Sequence, residues 1–388
     1  MIGAKERRSC NKTVVLLMVL LIVLGLITLF SATYYQRGTS GDPLSAVKKQ
    51  LFGIALGACA CVVLSFVPYR LLRRPRVMLS LLACAALLLI LVIIPGIGVS
   101  INGSRRWLNI AGLSVQPSEF AKYAMVIFMA GALDRRAEDI GSLFGGVVPL
   151  LIVPGVMFLL ILEQPNLSTG GSILICALAM LFAAGLKKRH MALLSVCGLC
   201  VGGFYAWSAP YRRERLLSFR DPFAKISDEG YQLSQSLIAL GSGGIFGMGL
   251  GQGRQKFAFL PYPESDFIFA IVGEDFGFAG CVAVIALFAA FVFTGLNVAL
   301  SCRDRYGCLL CAGITSMIGL QAFINMGVVT GIMPTTGLPL PFFSAGGTSV
   351  TMIMAAVGIV LNISRENGRL ITGKGMKRYA GGGKCDAS

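Results

Sequence analysis

Charge is what this chain has least of. Only 13% of its 388 residues are Asp, Glu, Lys or Arg, against 55% hydrophobic residues and a mean hydropathy of +0.77. A soluble domain carries about a quarter charged residues, so most of this chain sits in something other than water. Histidine is scarcer still, His190 being the only one. Cys197/Cys200 and Cys308/Cys311 have CxxC spacing, but zinc or redox sites draw on more ligands than one lone imidazole nearby. The twelve cysteines lie mostly inside apolar runs, where they behave as small hydrophobes. Neither GxGxxG nor GxxxxGK[ST] occurs, so nucleotide binding has no support.

What is abundant is length of apolar run. A helix needs about 20 apolar residues to cross roughly 30 Å of hydrocarbon. The first such run, VVLLMVLLIVLGLITLF, follows a basic start but is too long for a signal-peptide core and has no small-x-small site after it, so it reads as a retained helix. Runs and breaks predict about ten transmembrane helices: 13–32, 46–67, 77–95, 117–133, 144–162, 169–186, 190–208, 266–299, 307–332 and 345–363. The expected fold is therefore an all-α polytopic membrane protein forming one domain over 1–388. The net charge of +16 would suggest nucleic acid in a soluble protein. Here 21 basic residues fall on the side of the termini, and outside the long loop only five fall opposite. The positive-inside rule then puts both termini, including the basic tail 365–388, in the cytoplasm. The 209–265 loop between helices seven and eight faces outward, and no nucleic-acid partner is expected.

That loop is too long to be a plain connection. It holds Arg212, Arg213, Arg215 and Arg220, an amphipathic YQLSQSLIAL, and the run GSGGIFGMGLGQG. These glycines permit either close approach to a ligand or tight packing on helices. Charges also fall inside apolar runs. Glu119 and Lys122 are spaced i,i+3 and can pair. Glu274 and Asp275 follow Asp266 in SDFIFAIVGEDFGF. Such groups are costly in hydrocarbon and mark either a site or an ion pair between helices. Asp266 follows Pro261 and Pro263 and opens an apolar helix at the outer face, so it reads as a functional residue, with helix capping as the structural alternative. Pro334, Pro339 and Pro341 with Gly346 and Gly347 exclude continuous helix over 331–349.

Five segments together resemble the SEDS family (shape, elongation, division and sporulation proteins), polytopic enzymes that polymerise peptidoglycan from lipid II. They are GSRRWLNIAGLSVQPSEFAK (Gly103–Lys122), EQPNLSTG (Glu163–Gly170), RLLSFRDPF with GYQLSQSLIALGSGG (Arg215–Gly244), GLGQGRQKFAFLP with SDFIFAIVGEDFGF (Gly249–Phe278), and PTTGLPLPFFSAGGTS (Pro334–Ser349). The first and the GQGRQKF string look more like the FtsW-type division and sporulation branch than the RodA-type elongation branch. The chain departs from the family pattern at Tyr262, Glu264 and Ser265 before Asp266, at Asn166 after EQP, and at Ala345 before the paired glycines.

The resemblance implies inverting glycosyl transfer between lipid-linked sugars, with Asp266 as the catalytic residue. Diphosphate leaves without protonation, so one base and a cationic clamp suffice, unlike the paired carboxylates of a glycosidase. An ordinary Asp is a weak base, and partial burial by Phe267 and Phe269 would strengthen it. Arg212, Arg213, Arg215 and Arg220 are candidates to hold the diphosphate. Glu119 and Lys122 would line or brace the cavity. Gln252, Lys256, Glu264 and Ser344 complete the substrate-binding candidates. No metal-ligand spacing is present, although a divalent cation such as magnesium could share the phosphate charge. The implied partners are lipid II, a class B penicillin-binding protein and other divisome proteins, at the bacterial inner membrane. The competing readings are a lipid II flippase, an elongation-type polymerase and a recruiting scaffold.

Overall fold

A computed structural model describes residues 11–38, 44–101, 104–110, 113–208, 213, 219–223, 230–255, 259–261 and 263–380. Apolar runs fold as helices because hydrocarbon offers the backbone no hydrogen-bond partner but itself. In chain order the helices are α1 (Lys12–Gly38), α2 (Ser45–Phe66), α3 (Pro75–Ile93), α4 (Pro117–Arg135) and α5 (Val148–Leu162), the last entered through a π turn at Leu143–Val147. Then come α6 (Leu167–Ala183), α7 (Lys188–Trp207), the short amphipathic α8 (Tyr231–Ser242), α9 (Ile268–Leu300), α10 (Arg305–Val329) and α11 (Gly347–Ala380). Among the described residues, seven helical stretches are long and apolar enough to cross a membrane, those of α1, α2, α3, α5 with its π turn, α9, α10 and the first part of α11. Helix α6 is apolar but shorter.

The expectation of an all-α chain is corrected by a small sheet between α3 and α4. Strands β1 (Gly98–Ile101), β2 (Ser104–Ile110) and β3 (Leu113–Val115) pair antiparallel in the order β1-β2-β3. Ile101 pairs with Ser104, the last rung between β1 and β2. The segment is too polar to be a span and too rich in alternating large residues to be a simple loop.

Two helices form the centre. Along α4 nearly every residue from Pro117 to Leu133 is buried, and α10 is buried on most faces. Helices α2 and α11 approach closely: a Cβ on Gly53 would stand 2.7 Å from the Gly347 Cα, and one on Gly358 would stand 2.5 Å from the Cys61 carbonyl oxygen. Small residues permit such backbone approach between apolar helices, where dispersion replaces the hydrophobic effect as the driving term. At the end of α3 remote from the sheet, Arg73 pairs with Asp134 at 2.8 Å, and Asp304 caps α10 by accepting from the Gly307 N–H at 3.2 Å. Helix α7 differs from its neighbours, since none of its described residues is buried.

Candidate functional site

Asp266 does not cap a helix. It lies in a turn ahead of α9, whose first residue is Ile268 and whose N-cap is Phe267, and that N-cap makes no side-chain capping bond. Pro261 and Pro263 disfavour helix just ahead of Asp266, and three bonds fix the backbone of residues 264–266. The Asp266 carbonyl accepts from Asn325 Nδ2 at 2.7 Å, the Ser265 carbonyl accepts from Ser344 Oγ at 2.5 Å, and the Glu264 carbonyl accepts from the Ala345 N–H at 2.7 Å. Asn325 also donates to the Leu338 carbonyl at 2.7 Å, and Ser344 Oγ accepts from the Leu340 N–H at 2.8 Å. Gln50 of α2 closes the set, donating to the Ser344 carbonyl at 3.2 Å and accepting from the Gly346 N–H at 3.1 Å. The segment before α9 and the Pro-rich segment before α11 are thus sewn together by buried amides and a hydroxyl. Asp266 itself is half-buried against buried Phe267 and Phe269.

The side chain opposite Asp266 is Arg106, on β2. A Cβ built on Gly337 would lie 3.5 Å from Asp266 Oδ2 and 3.7 Å from Arg106 Nη1, so both groups face the gap above that glycine. Arg106 is aimed there by its other nitrogens: Nε donates to the Gln164 carbonyl at 3.2 Å and Nη2 donates to the Pro165 carbonyl. Gln164 is held in turn by donating to the Leu89 carbonyl at 3.1 Å. Asn166, where the family pattern has an acid, caps α6 by accepting from the Thr169 N–H at 3.3 Å. Beside Gly337, the hydroxyls of Thr335 and Thr336 are buried and take no hydrogen-bond partner among the described residues. The gap above Gly337 is thus faced by one carboxylate and one guanidinium.

Glu119 and Lys122 form the ion pair their spacing suggested, at 2.8 Å, with both side chains fully buried. Lys122 also donates to Gln321 Oε1 at 2.6 Å, and Gln321 donates onward to the Pro339 carbonyl at 2.8 Å. Glu119 accepts from Ser349 Oγ at 2.9 Å. The pair binds α4 to α10 and to the start of α11, and so braces the Pro-rich segment from below. Each charge of such a buried pair compensates the other, and either partner alone is costly.

Glu274 and Asp275 serve the glycine run. Glu274 Oε1 accepts from the Gln255 N–H at 2.8 Å, and Asp275 Oδ2 accepts from Ser31 Oγ of α1 at 2.5 Å. Helix α9 breaks at Gly277 (φ 68), which lets the carbonyls of Glu274 and Asp275 accept from the N–H groups of Met248 and Gly249. A Cβ on Gly277 would stand 2.3 Å from the Gly247 nitrogen. Of the two readings of the glycines, tight packing is the one that accounts for Gly243, Gly247 and Gly253.

Of the residues singled out in sequence, Asp266, Glu264 and Ser344 come together through their backbone bonds, with Glu119 and Lys122 behind them. Arg213 stands over the Trp207 ring at 5.8 Å, at the end of α7, and Arg220 and Gln252 are exposed. Arg212, Arg215, Lys256 and Tyr262 lie outside the described residues. Sequence reading missed Arg106, Gln164, Gln321 and Asn325. Arg106 sits inside a quoted motif, and its membership there was the available signal. Among the described residues no group of three or more His, Cys, Asp or Glu side chains is placed to hold a metal ion.

Comparison with known proteins fits this arrangement. A family model for FtsW, RodA and SpoVE, described as cell cycle protein, matches residues 11–369. Stage V sporulation protein E of Bacillus subtilis is 40% identical over 361 residues, covering 93% of this chain and 98% of the relative. A probable peptidoglycan glycosyltransferase FtsW of Geobacter metallireducens is 38% identical over 364 residues, covering 94% and 96%. Among solved structures, a chain of a peptidoglycan synthase complex that coordinates polymerization and crosslinking matches with a TM-score of 0.75 at 28% identity, covering 92% of this chain and 98% of that one. The rod shape determining protein RodA of Thermus thermophilus matches with a TM-score of 0.66 at 27% identity, covering 92% and 97%.

Proposed function

This chain belongs to the family of FtsW, RodA and SpoVE, and from that premise we propose that it is a peptidoglycan glycosyltransferase polymerising lipid II with Asp266 as its base. The observation that carries the reading is the gap above Gly337, where Asp266 and Arg106 face each other on a backbone fixed by buried side chains. In the step envisaged, the acceptor 4-hydroxyl oxygen bonds to the donor anomeric carbon as that carbon's bond to diphosphate oxygen breaks. The electron pair leaves with the lipid diphosphate and the hydroxyl proton passes to Asp266. One in-line displacement inverts the anomeric centre, so a single base serves. The three backbone bonds at 264–266 hold the carboxylate in place, which lowers the entropic cost of reaching the reactive geometry.

The finer reading extends the seven spans with α4, α6 and α7 to ten crossings, which puts both termini in the cytoplasm and the 209–265 loop outside. Its support is the charge asymmetry of the sequence and the length of those three helices. The membrane is then the bacterial inner membrane. The role is in division or sporulation, in keeping with the relatives named above. The partner is a class B penicillin-binding protein, as the likeness to a chain of a synthase complex suggests. A divalent cation sharing the diphosphate charge would fit as a substrate-bridged ion, with Asp266 the carboxylate that faces the gap among the described residues. Magnesium commonly binds that way, through one or two carboxylates and substrate phosphates.

Purified chain in lipid vesicles with lipid II, and no ion gradient, should make glycan. The Asp266→Asn variant should fold as well as wild type and make none. Glycan made by Asp266→Asn would remove Asp266 from the chemistry, and lipid II moved across the bilayer without glycan would make the protein a flippase.

A further inference from the structure

We propose that the glycine run ahead of α9 is a membrane anchor, whose Ile245, Phe246 and Leu250 side chains sit among lipid acyl chains at the bilayer face nearest Asp266. These side chains are 66%, 84% and 54% exposed, although the loop that carries them is firmly placed. Its backbone pairs with the break in α9. The Met248 and Gly249 N–H groups donate to the Glu274 and Asp275 carbonyls at 2.9 and 3.1 Å. In return, the Phe278 and Ala279 N–H groups donate to the Gly244 and Ile245 carbonyls at 2.9 and 3.0 Å. Non-helical backbone meets lipid at a tolerable cost only when its polar groups are satisfied within the protein. Paired backbone with large apolar side chains left outside is what contact with lipid requires, and a loop bathed in water needs neither.

Depth puts the run at the membrane surface. From Phe278 to Leu300, α9 continues for about 23 residues, or about 34 Å, without a charged side chain, and that stretch alone spans roughly 30 Å of hydrocarbon. Arg303 and Arg305 follow its far end, while Glu274 and Asp275 precede the break, so the break marks the opposite boundary. Helix α1 gives the same level. Ser31, which bonds Asp275, is three residues before Tyr34, an exposed ring packed on Phe30 with centroids 5.1 Å apart, as in an aromatic belt. The run also prolongs a face already turned to lipid: Phe278, Val282 and Ile285 are exposed along α9 at helical spacing, and Phe278 is itself bonded to Gly244. The next residues, Gln252 and Arg254, are exposed and polar, which suits the headgroup layer. The run ends at Gln255, whose N–H is held by the Glu274 carboxylate and whose carbonyl accepts from the Leu260 N–H at 3.0 Å, one residue before Pro261. An anchor in the bilayer surface is thereby tied to the segment carrying Asp266 and sets its height above the lipid. It does so whatever reaction the chain performs.

Tryptophan fluorescence reads the depth. Full-length Phe246→Trp is placed in phosphatidylcholine vesicles whose acyl chains carry bromine either near the headgroup or near the methyl end. Its signal is taken as the increment over wild type, which holds Trp107 and Trp207. Phe293→Trp, on the exposed face toward the middle of α9, is the deep reference. The Phe246→Trp increment should lie to the blue, escape quenching by aqueous acrylamide, and be lost to the shallow bromines more than to the deep ones. Phe293→Trp should show the reverse order. If Phe246→Trp does not fold, Leu250→Trp takes its place and is judged in the same way. Quenching by acrylamide with none by either bromine would put the run in water and overturn the anchor. Protection from acrylamide and from both bromines would mean that a second copy of this chain covers the run, and would overturn it equally.

Discussion

Gly337→Ala separates the chemistry of the gap from the stability of the fold. The added methyl would sit 3.5 Å from Asp266 Oδ2 and 3.7 Å from Arg106 Nη1, both ordinary contact distances, so nothing has to move to admit it. Gly337 is not among the glycines with positive φ, and an alanine can adopt its backbone. At such positions Gly→Ala stabilises by about 0.4–1 kcal/mol by narrowing the unfolded ensemble. The reacting hydroxyl, however, must come within about 2.6–3.2 Å of Asp266 Oδ2 to pass its proton, and the methyl stands in that approach. A displacement on the order of 1 Å costs about 100-fold in rate, or about 2.7 kcal/mol of barrier. Glycan synthesis from lipid II and thermal unfolding in detergent, measured on one preparation, should therefore move in opposite directions. Gly198→Ala, on α7 where no atom lies within 4 Å of the new methyl, should leave the rate unchanged. Polymerisation by Gly337→Ala within twofold of wild type would refute the assignment of the gap, as would a loss of rate that only follows a loss of melting temperature.

The buried ion pair and the broken helix give two further expectations. Lys122→Met leaves Glu119 buried with its charge uncompensated and should cost about 3–5 kcal/mol. Adding Glu119→Gln should recover much of that, and a double variant as unstable as the single would show that the pair is not the cause. Gly277→Ala puts a side chain at φ 68 and against the Gly247 nitrogen, so it should destabilise by more than about 1 kcal/mol. Limited proteolysis between residues 243 and 255 reads this directly, and wild-type protection there would contradict the docking of the glycine run on α9.

The helices were legible because the bilayer imposes one simple requirement, a contiguous apolar run of fixed minimum length. Runs read as 46–67 and 77–95 are helices at Ser45–Phe66 and Pro75–Ile93 for that reason. Boundaries slipped where the apolar run and the helix part company. The last helix continues through its polar segment to Ala380, well past the hydrophobic end at 363. The sheet escaped because span-hunting weighs composition, while β1–β3 declare themselves only through alternation. The candidate site was half legible. Asp266 stood out by its prolines and the apolar run behind it. Arg106 reads in sequence as one more loop charge, and only the fold shows that β2, the turn after α5 and the segment before α11 meet. No periodicity encodes a meeting of three distant segments.

Asn325 has a mechanical consequence. A single carboxamide nitrogen on α10 carries two protons, and each goes to a different strand of the site: the Asp266 carbonyl and the Leu338 carbonyl. The base and the floor of its gap hang from one pivot. A push that tilts or slides α10 therefore carries both together and leaves their spacing intact, so the site travels as a unit. Control applied from outside, by a neighbouring protein or by the bilayer itself, would then act by aiming this assembled unit at its substrate instead of by assembling or dismantling it.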